Sequence, residues 1–300
     1  MKKITLGLAS LTLALGLTMG SLSAQEKHDV GAGTAGGGGG DHAEGGTPHY
    51  PLRHPEPVDW TFAGPFGHYD KGQLQRGLKV YTEVCSACHS MKLVAFRTLG
   101  ELGYSEAQVK TFAANYEVQD GPNPQGEMFT RKALPSDHFP SPFPNDEAAA
   151  ASNNGAVPPD MSLLAKAREI ERGFPQFIFD IFTQYQEGGP DYIYSLLTGY
   201  EEPPAGFQVA QNSHYNPYFD AAATFAMPKP LSDGQVTYDD GSPQTVDQYS
   251  HDVSAFLMWA AEPHLEERKH LGFMVIIFLL IFSTLIYLTK RSVYAKAGAH

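Results

Sequence analysis

The sequence predicts a mainly α-helical domain with long irregular insertions, followed by one C-terminal transmembrane helix. Three observations lead there. Two stretches framing the globular part carry apolar residues at helical spacing. The chain between them is crowded with proline and glycine, which interrupt regular structure. Near the C-terminus, Leu271 to Thr289 runs for nineteen residues without a charge. At 1.5 Å per residue this run just spans a hydrocarbon core of about 30 Å.

In chain order, Lys2 and Lys3 precede an apolar run from Ile4 to Met19, and Ser21, Leu22, Ser23 and Ala24 follow. A basic start, an apolar centre and a small-residue end describe a signal peptide over 1–24, cut after Ala24. Residues 25–47 are mostly glycine and form a flexible tether. From 48 to 264 the composition is globular and the length suits one domain.

Asp70 can cap the first framing helix, with Gln73 in the capping-box position. Leu74, Leu78, Tyr81 and Cys85 then fall on one face. Gly77 would weaken this helix by about 1 kcal/mol, so close packing is expected there. The second framing helix starts near Thr245, with Gln248 as its capping-box partner. Val246, Tyr249, Val253, Phe256 and Ala260 form its apolar face, and Pro263 ends it. Between the two, Asp120 to Pro159 reads as a loop laid over the surface. Phe174, Phe177, Ile178, Ile181, Phe182 and Tyr185 repeat at three and four, which predicts an amphipathic helix with its aromatic face on its own domain.

The chemistry centres on Cys85, Ser86, Ala87, Cys88 and His89, the chain's one C-x-x-C-H, which holds its only two cysteines. Two thiols at this spacing can add across the vinyl groups of haem, and the histidine can ligate its iron. A structural zinc would need a second ligand pair, and a redox C-x-x-C belongs near a βαβ pattern. The reading is therefore one covalent haem c held by two thioethers. Packing of an N-terminal helix across a C-terminal one is the frame of class I cytochromes c, so the fold class is a class I cytochrome c-like domain.

A second axial ligand is then needed. Of the eight methionines, Met128, Met161 and Met227 remain after those in the signal, the membrane run, the C-terminal framing helix and the motif's own vicinity are set aside. Pro228 and Pro230 stiffen the chain after Met227, which favours it; His214 and His251 are the bis-histidine alternatives. A Met/His pair raises the reduction potential.

Export places the globular part outside. Single-pass insertion at 271–289 then leaves 290–300, with Lys290, Arg291 and Lys296, in the cytoplasm. The formal net charge is −12, and loss of Lys2 and Lys3 makes it about two units more negative. Nucleic acid is excluded as a partner by this charge, and a basic protein partner fits it.

Several longer stretches closely resemble the cytochrome c1 family, the haem-c subunits of cytochrome bc1 complexes. They are V-Y-T-E-V-C-S-A-C-H-S-M at 80–91, V-Q-D-G-P-N at 118–123 and N-N-G-A-V-P-P-D at 153–160. D-Y-I-Y-S-L-L-T-G-Y at 191–200, N-P-Y-F at 216–219, Met227 with its prolines and W-A-A-E-P at 259–263 continue the match. The resemblance implies haem attachment at Cys85 and Cys88, with His89 and Met227 as axial ligands. It also implies haem-pocket contacts from Asn153, Pro158, Pro159, Arg168, Tyr192 and Phe219, with Arg168 on a propionate. It implies residence in a bacterial inner membrane with the haem domain in the periplasm. The implied partners are a cytochrome b subunit, a Rieske iron–sulfur protein as electron donor and a soluble or membrane-tethered cytochrome c as acceptor. Two departures stand out: 169–187 is longer than in mitochondrial members, and no spare cysteine exists for the extra disulfide of some bacterial ones. The rival classes are an anchored electron carrier outside any quinol-oxidising complex and a haem enzyme with an open iron position.

Overall fold

The computed structural model describes residues 53–169, 174–183, 185–222 and 224–297. The predicted signal peptide, the tether, residues 48–52, the last three residues of the tail and part of the 169–187 insertion lie outside them. Among the described residues the structure is helical, with two short hairpins.

The first framing helix, α1 (Lys71–Glu83), begins at Asp70, whose carboxylate accepts from the Gly72 and Gln73 amides. Half of the expected capping box forms. The Gln73 side chain turns instead to His251, 3.0 Å away. Leu74, Leu78 and Tyr81 are buried as the spacing predicts. The second framing helix, α7 (Val246–Ala261), starts at Thr245, whose hydroxyl accepts from the Gln248 amide. Here too the glutamine side chain leaves the box, donating to Asp252 Oδ1 at 3.0 Å. Gln73 finds a partner on the other helix, and Gln248 one a turn further along α7, where the Asp252 carboxylate is buried.

α1 crosses α7 at Gly77. A Cβ there would sit 2.2 Å from the Asp252 carbonyl oxygen and 2.6 Å from the Phe256 Cβ, so only glycine admits the approach. Beside the crossing, Arg76 grips Asp252 with two hydrogen bonds, at 2.9 and 3.1 Å. The Asp252 side chain is fully buried.

The segment between these helices is more ordered than its prolines predict. A 3-10 helix (Phe96–Leu102) leads to α2 (Glu106–Ala113), which carries a complete capping box between Ser105 and Gln108. Strands β1 (Glu117–Asp120) and β2 (Phe129–Lys132) then pair antiparallel. Helix α3 (Asp146–Ser152) is capped by Asn145 and built on an alanine run, which overrides the neighbouring prolines. α4 (Leu164–Ala167), α5 (Gln176–Thr183) and α6 (Gly188–Thr198) follow. α4 and α6 pack on α7, which makes α7 the hub of the domain. A small hairpin, β3 (His214–Tyr215) with β4 (Thr224–Phe225), precedes α7. Of the aromatic face predicted for α5, Phe174, Phe177 and Ile178 are exposed, whereas Tyr185 donates to Asp191 of its own domain at 3.1 Å; the side chains of Ile181 and Phe182 lie outside the description.

The last helix, α8 (Leu265–Ala297), starts two residues beyond Pro263 and runs longer than the apolar stretch alone. Within Leu265–Ala295 an 18-residue window has a mean hydropathy of 2.7, and the helix is long and apolar enough to cross a membrane. The apolar side chains from Leu271 to Leu288 lie exposed, which removes the alternative of a buried core helix.

The crossing supplies the first prediction. Gly77→Ala would gain about 1 kcal/mol in helix propensity, but overpacking against backbone costs up to about 3 kcal/mol. The net expectation is a loss of about 2 kcal/mol, read as a lower urea midpoint of the detergent-solubilised protein. Gly100→Ala, where a Cβ meets nothing within 4 Å, is the neutral control.

Candidate functional site

The C-x-x-C-H motif sits where α1 tightens into a 3-10 turn, Cys85–Ala87. The Cys85 carbonyl accepts from both the Cys88 amide (3.1 Å) and the His89 amide (2.9 Å), so the five residues wind into one compact turn. Ser86 Oγ locks the turn to α1 by donating to the Thr82 carbonyl at 2.8 Å. Tyr81 Oη donates to the His89 carbonyl at 3.2 Å. Both cysteines are free and partly exposed. Burial of the Cys85 sulfur, with a smaller push from Cys88, raises its thiol to about 12. It is therefore a neutral thiol at neutral pH, unlike the thiolate of a reactive redox cysteine.

His89 is buried, and its Nδ1 lies 2.8 Å from the Pro159 carbonyl oxygen. A carbonyl can only accept, so Nδ1 carries the hydrogen and Nε2 keeps its lone pair. Burial lowers the His89 pKa, against smaller opposing effects of Pro159 and Asp160. The ring is thus held neutral, in the tautomer a metal needs. Pro159 acts through its backbone oxygen, while Pro158 beside it is half-buried.

Asp160 closes the same corner. Its carboxylate accepts from Ser90 Oγ (2.7 Å), the Lys92 amide (2.9 Å) and the Ser162 amide (2.9 Å). The Met161 amide donates to the Ser90 carbonyl at 2.8 Å, and Ser162 Oγ accepts from the Leu93 amide at 3.0 Å. Residues 159–162 are thereby riveted to residues 89–93. Burial pushes the Asp160 carboxyl up, but hydrogen bonds from Lys92, Ser162 and Ser90 outweigh it and hold it below 3.8. The sequence pattern assigns no role to Asp160 or Ser162. The available signal was an acidic residue just after two prolines, which suits a turn held by its own carboxylate.

Of the other expected residues, Tyr192, Phe219 and Met227 lie about the β3–β4 hairpin. Tyr192 on α6 is buried, and its hydroxyl donates to Asp220 Oδ1 at 3.0 Å. Phe219 stacks on Phe225 at 4.8 Å, and Phe225 lies 5.5 Å from the Tyr200 ring. Tyr200 Oη in turn donates to the Met227 carbonyl at 3.1 Å. Met227 is half-buried and packs against the core. Its chain is therefore fixed by Tyr200 and by the hairpin as well as by its prolines; Tyr200 and Phe225 had no assigned role in the sequence. Asn153 ends α3, with Nδ2 donating to the Ala149 carbonyl at 2.7 Å. Arg168 ends α4 and is exposed, near enough to Tyr192 to act on its charge.

The alternative ligands fare differently. Met128 is exposed beside the β1–β2 hairpin. Met161 is tied by its backbone to Ser90, on the His89 side. His251 stacks on Trp60 at 4.6 Å and meets Gln73, so its ring is committed to the α1–α7 interface. His214 pairs with Phe225 in the hairpin. Among the described residues no three His, Cys, Asp or Glu side chains converge as for a metal ion. Two free thiols on one turn beside a neutral, oriented imidazole fit a thioether-bound haem.

The sequence pattern of the Cytochrome C1 family matches residues 60–297. The chain belongs to the cytochrome c1 family. It is 61% identical over 242 residues to cytochrome b/c1 of Bradyrhizobium diazoefficiens, which covers 79% of this chain but 35% of that protein. The chain thus spans about a third of the length of that relative. Cytochrome c1 of Blastochloris viridis is 45% identical over 290 residues, covering 95% and 94% of the two chains. Cytochrome c1 of Rhodospirillum rubrum is 45% identical over 238 residues, covering 79% and 86%. Cytochrome c1 family proteins are haem proteins, and membership implies an electron-transfer subunit of a bc1 complex.

The Asp160 clasp is testable by pH. A carboxyl whose pKa is lowered on folding adds stability above its unfolded value, and loses it as pH falls through the folded one. Asp160→Asn should therefore lower the urea midpoint at pH 7, with the gap to the parent chain closing below pH 3.8. A gap independent of pH would contradict the assigned role.

Proposed function

We propose that this chain is the electron-relay subunit of a quinol–cytochrome c oxidoreductase. In this reading Cys85 and Cys88 each form a thioether to one haem c, and His89 and Met227 are its axial ligands. The observation that carries it is the His89–Pro159 hydrogen bond, which leaves Nε2 free on a buried, neutral ring beside two free thiols. When bound, the haem would supply a one-electron Fe(III)/Fe(II) couple, with His89 and Met227 as the residues that would hold its iron.

The chain's own residues then have separable roles. Pro159 fixes the His89 tautomer, and Asp160 holds Pro159 against the motif. Tyr200, Phe219 and Phe225 restrain the Met227 chain. Asn153, Pro158, Arg168 and Tyr192 complete the pocket, with Arg168 offering its guanidinium to a propionate. Met161 is disfavoured as the sixth ligand because its amide is bonded to Ser90 and it lies two residues from Pro159, on the His89 side.

The donor is a Rieske iron–sulfur protein and the acceptor a cytochrome c, soluble or membrane-tethered; quinol oxidation belongs to a cytochrome b subunit. Residues 1–24 serve as signal peptide, 25–47 as tether, 48–264 as haem domain and 271–289 as anchor, with 290–300 cytoplasmic. The haem domain then faces the periplasm.

Met227→Leu tests the ligand assignment. Haem should stay attached, since Cys85, Cys88 and His89 are untouched. The potential should fall by on the order of 0.1–0.3 V, within the roughly 0.8 V over which axial ligands act. Carbon monoxide should then bind the ferrous form, and quinol-dependent reduction of cytochrome c should collapse. Met161→Leu should change none of these; the opposite pattern assigns the ligand to Met161.

A further inference from the structure

The C-terminal end of α5, a helix with exposed aromatic side chains, lies beside the polar turns from which α8 runs into its apolar stretch. Phe174 is 79% exposed, Phe179 63% and Phe177 50%. Asp180 is the one charged residue between positions 174 and 183. At the far end of α5, the Thr183 carbonyl oxygen lies 4.0 Å from where a Cβ on Gly64 would stand. The Gly64 amide donates to Glu187 Oε1 at 3.2 Å. Two residues further on, Phe66 is 77% exposed and meets Phe273 of α8 edge-on at 5.7 Å. Phe273 is two residues into the uncharged run that starts at Leu271.

Two more contacts fix this region against the last polar turn of α8. Arg268 Nη2 donates to Gln186 Oε1 at 2.9 Å, three residues after α5 ends. Lys269 Nζ donates to the Phe62 carbonyl at 2.6 Å. Both ends of the link between α5 and the anchor are therefore set at the level where α8 turns from charged to apolar. Phe66 and Phe273 extend the lipid-facing surface of α8 to that level, and the exposed Phe179 lies one helical turn before Thr183, an arrangement suited to the bilayer's headgroup–acyl boundary.

We propose that α5, together with Phe66, is a second, monotopic membrane contact that rests in the phospholipid interface beside the anchor helix. The proposal rests on α8 being a membrane anchor. It also explains the longer 169–187 segment, because two points of attachment restrain the tilt of the haem domain over the bilayer. A single anchor helix, even one held to the domain through Tyr69 and Phe62, can still tilt in the bilayer.

The test uses the full chain in its native membranes, with the photoreactive residue p-benzoyl-phenylalanine placed at position 177 or 179. Position 281, inside the apolar run, is the lipid reference. Position 239 is the water reference: the Asp239 side chain is 91% exposed and pairs with Lys79, on the part of α1 remote from α8. Irradiation should shift the mass at 177 and 179 by one phospholipid, in a yield comparable to that at 281, with no such shift at 239. A lipid adduct at 281 but none at 177 and 179 overturns the proposal while leaving the anchor intact. Protein adducts at 177 and 179 overturn it too, by assigning the face to another subunit. Absence of lipid adducts at 281 removes the anchor itself, and the proposal with it.

Discussion

The crossing of α1 over α7 at Gly77 is the constraint on which the rest of the molecule depends. The absent side chain brings the two backbones into contact, and Arg76 then meets Asp252 across the seam. Burying such a pair carries a desolvation cost that offsets much of its attraction. Its contribution is to register: only one axial setting of α1 on α7 lets the guanidinium reach both carboxylate oxygens. That setting decides where each end of α1 lies. At one end, the Tyr69 amide donates to Glu266 of α8 at 2.7 Å. At the other, about 20 Å away for a 13-residue helix, the cysteine turn begins. One helix thus separates the membrane entry from the redox motif by a fixed length.

From that turn, order passes to His89 through backbone atoms. Pro159 reaches His89 with its carbonyl, and Asp160 secures the same strip of chain with three hydrogen bonds. An imidazole oriented before the iron arrives has little freedom left to lose, and small structural change on electron transfer is what a relay requires. The Met227 side is built differently. Its restraint comes from the aromatic sequence Phe219, Phe225 and Tyr200 on a short hairpin, with Tyr192 and Asp220 tying that hairpin to α6.

The framing helices and the membrane helix were legible because each repeats one physical signal over many residues: a cap and an apolar stripe for α1 and α7, unbroken hydrophobicity for α8. The C-x-x-C-H turn was legible because its chemistry is local. Most of what stayed hidden depended on partners distant in sequence. Gln73 and Gln248 looked like capping-box residues, but Gln73 turned to His251 of α7 and Gln248 to Asp252, one turn along its own helix. The β1–β2 hairpin and α3 were obscured by surrounding prolines. Asp160 acts through amides that no side-chain pattern advertises. The periodicity of α5 announced an amphipathic helix correctly, yet periodicity carries no information about what covers the apolar face.

In the proposed reading Cys85 and Cys88 hold one haem beside an already oriented His89. The intact mass of the purified full chain, followed by peptide mapping of residues 80–91, tests this. The expected result is a mass increase of a single haem that survives acid–acetone extraction and maps to Cys85 and Cys88 together. An unmodified peptide with both thiols free to alkylate, in chain purified from membranes competent for haem attachment, would contradict it.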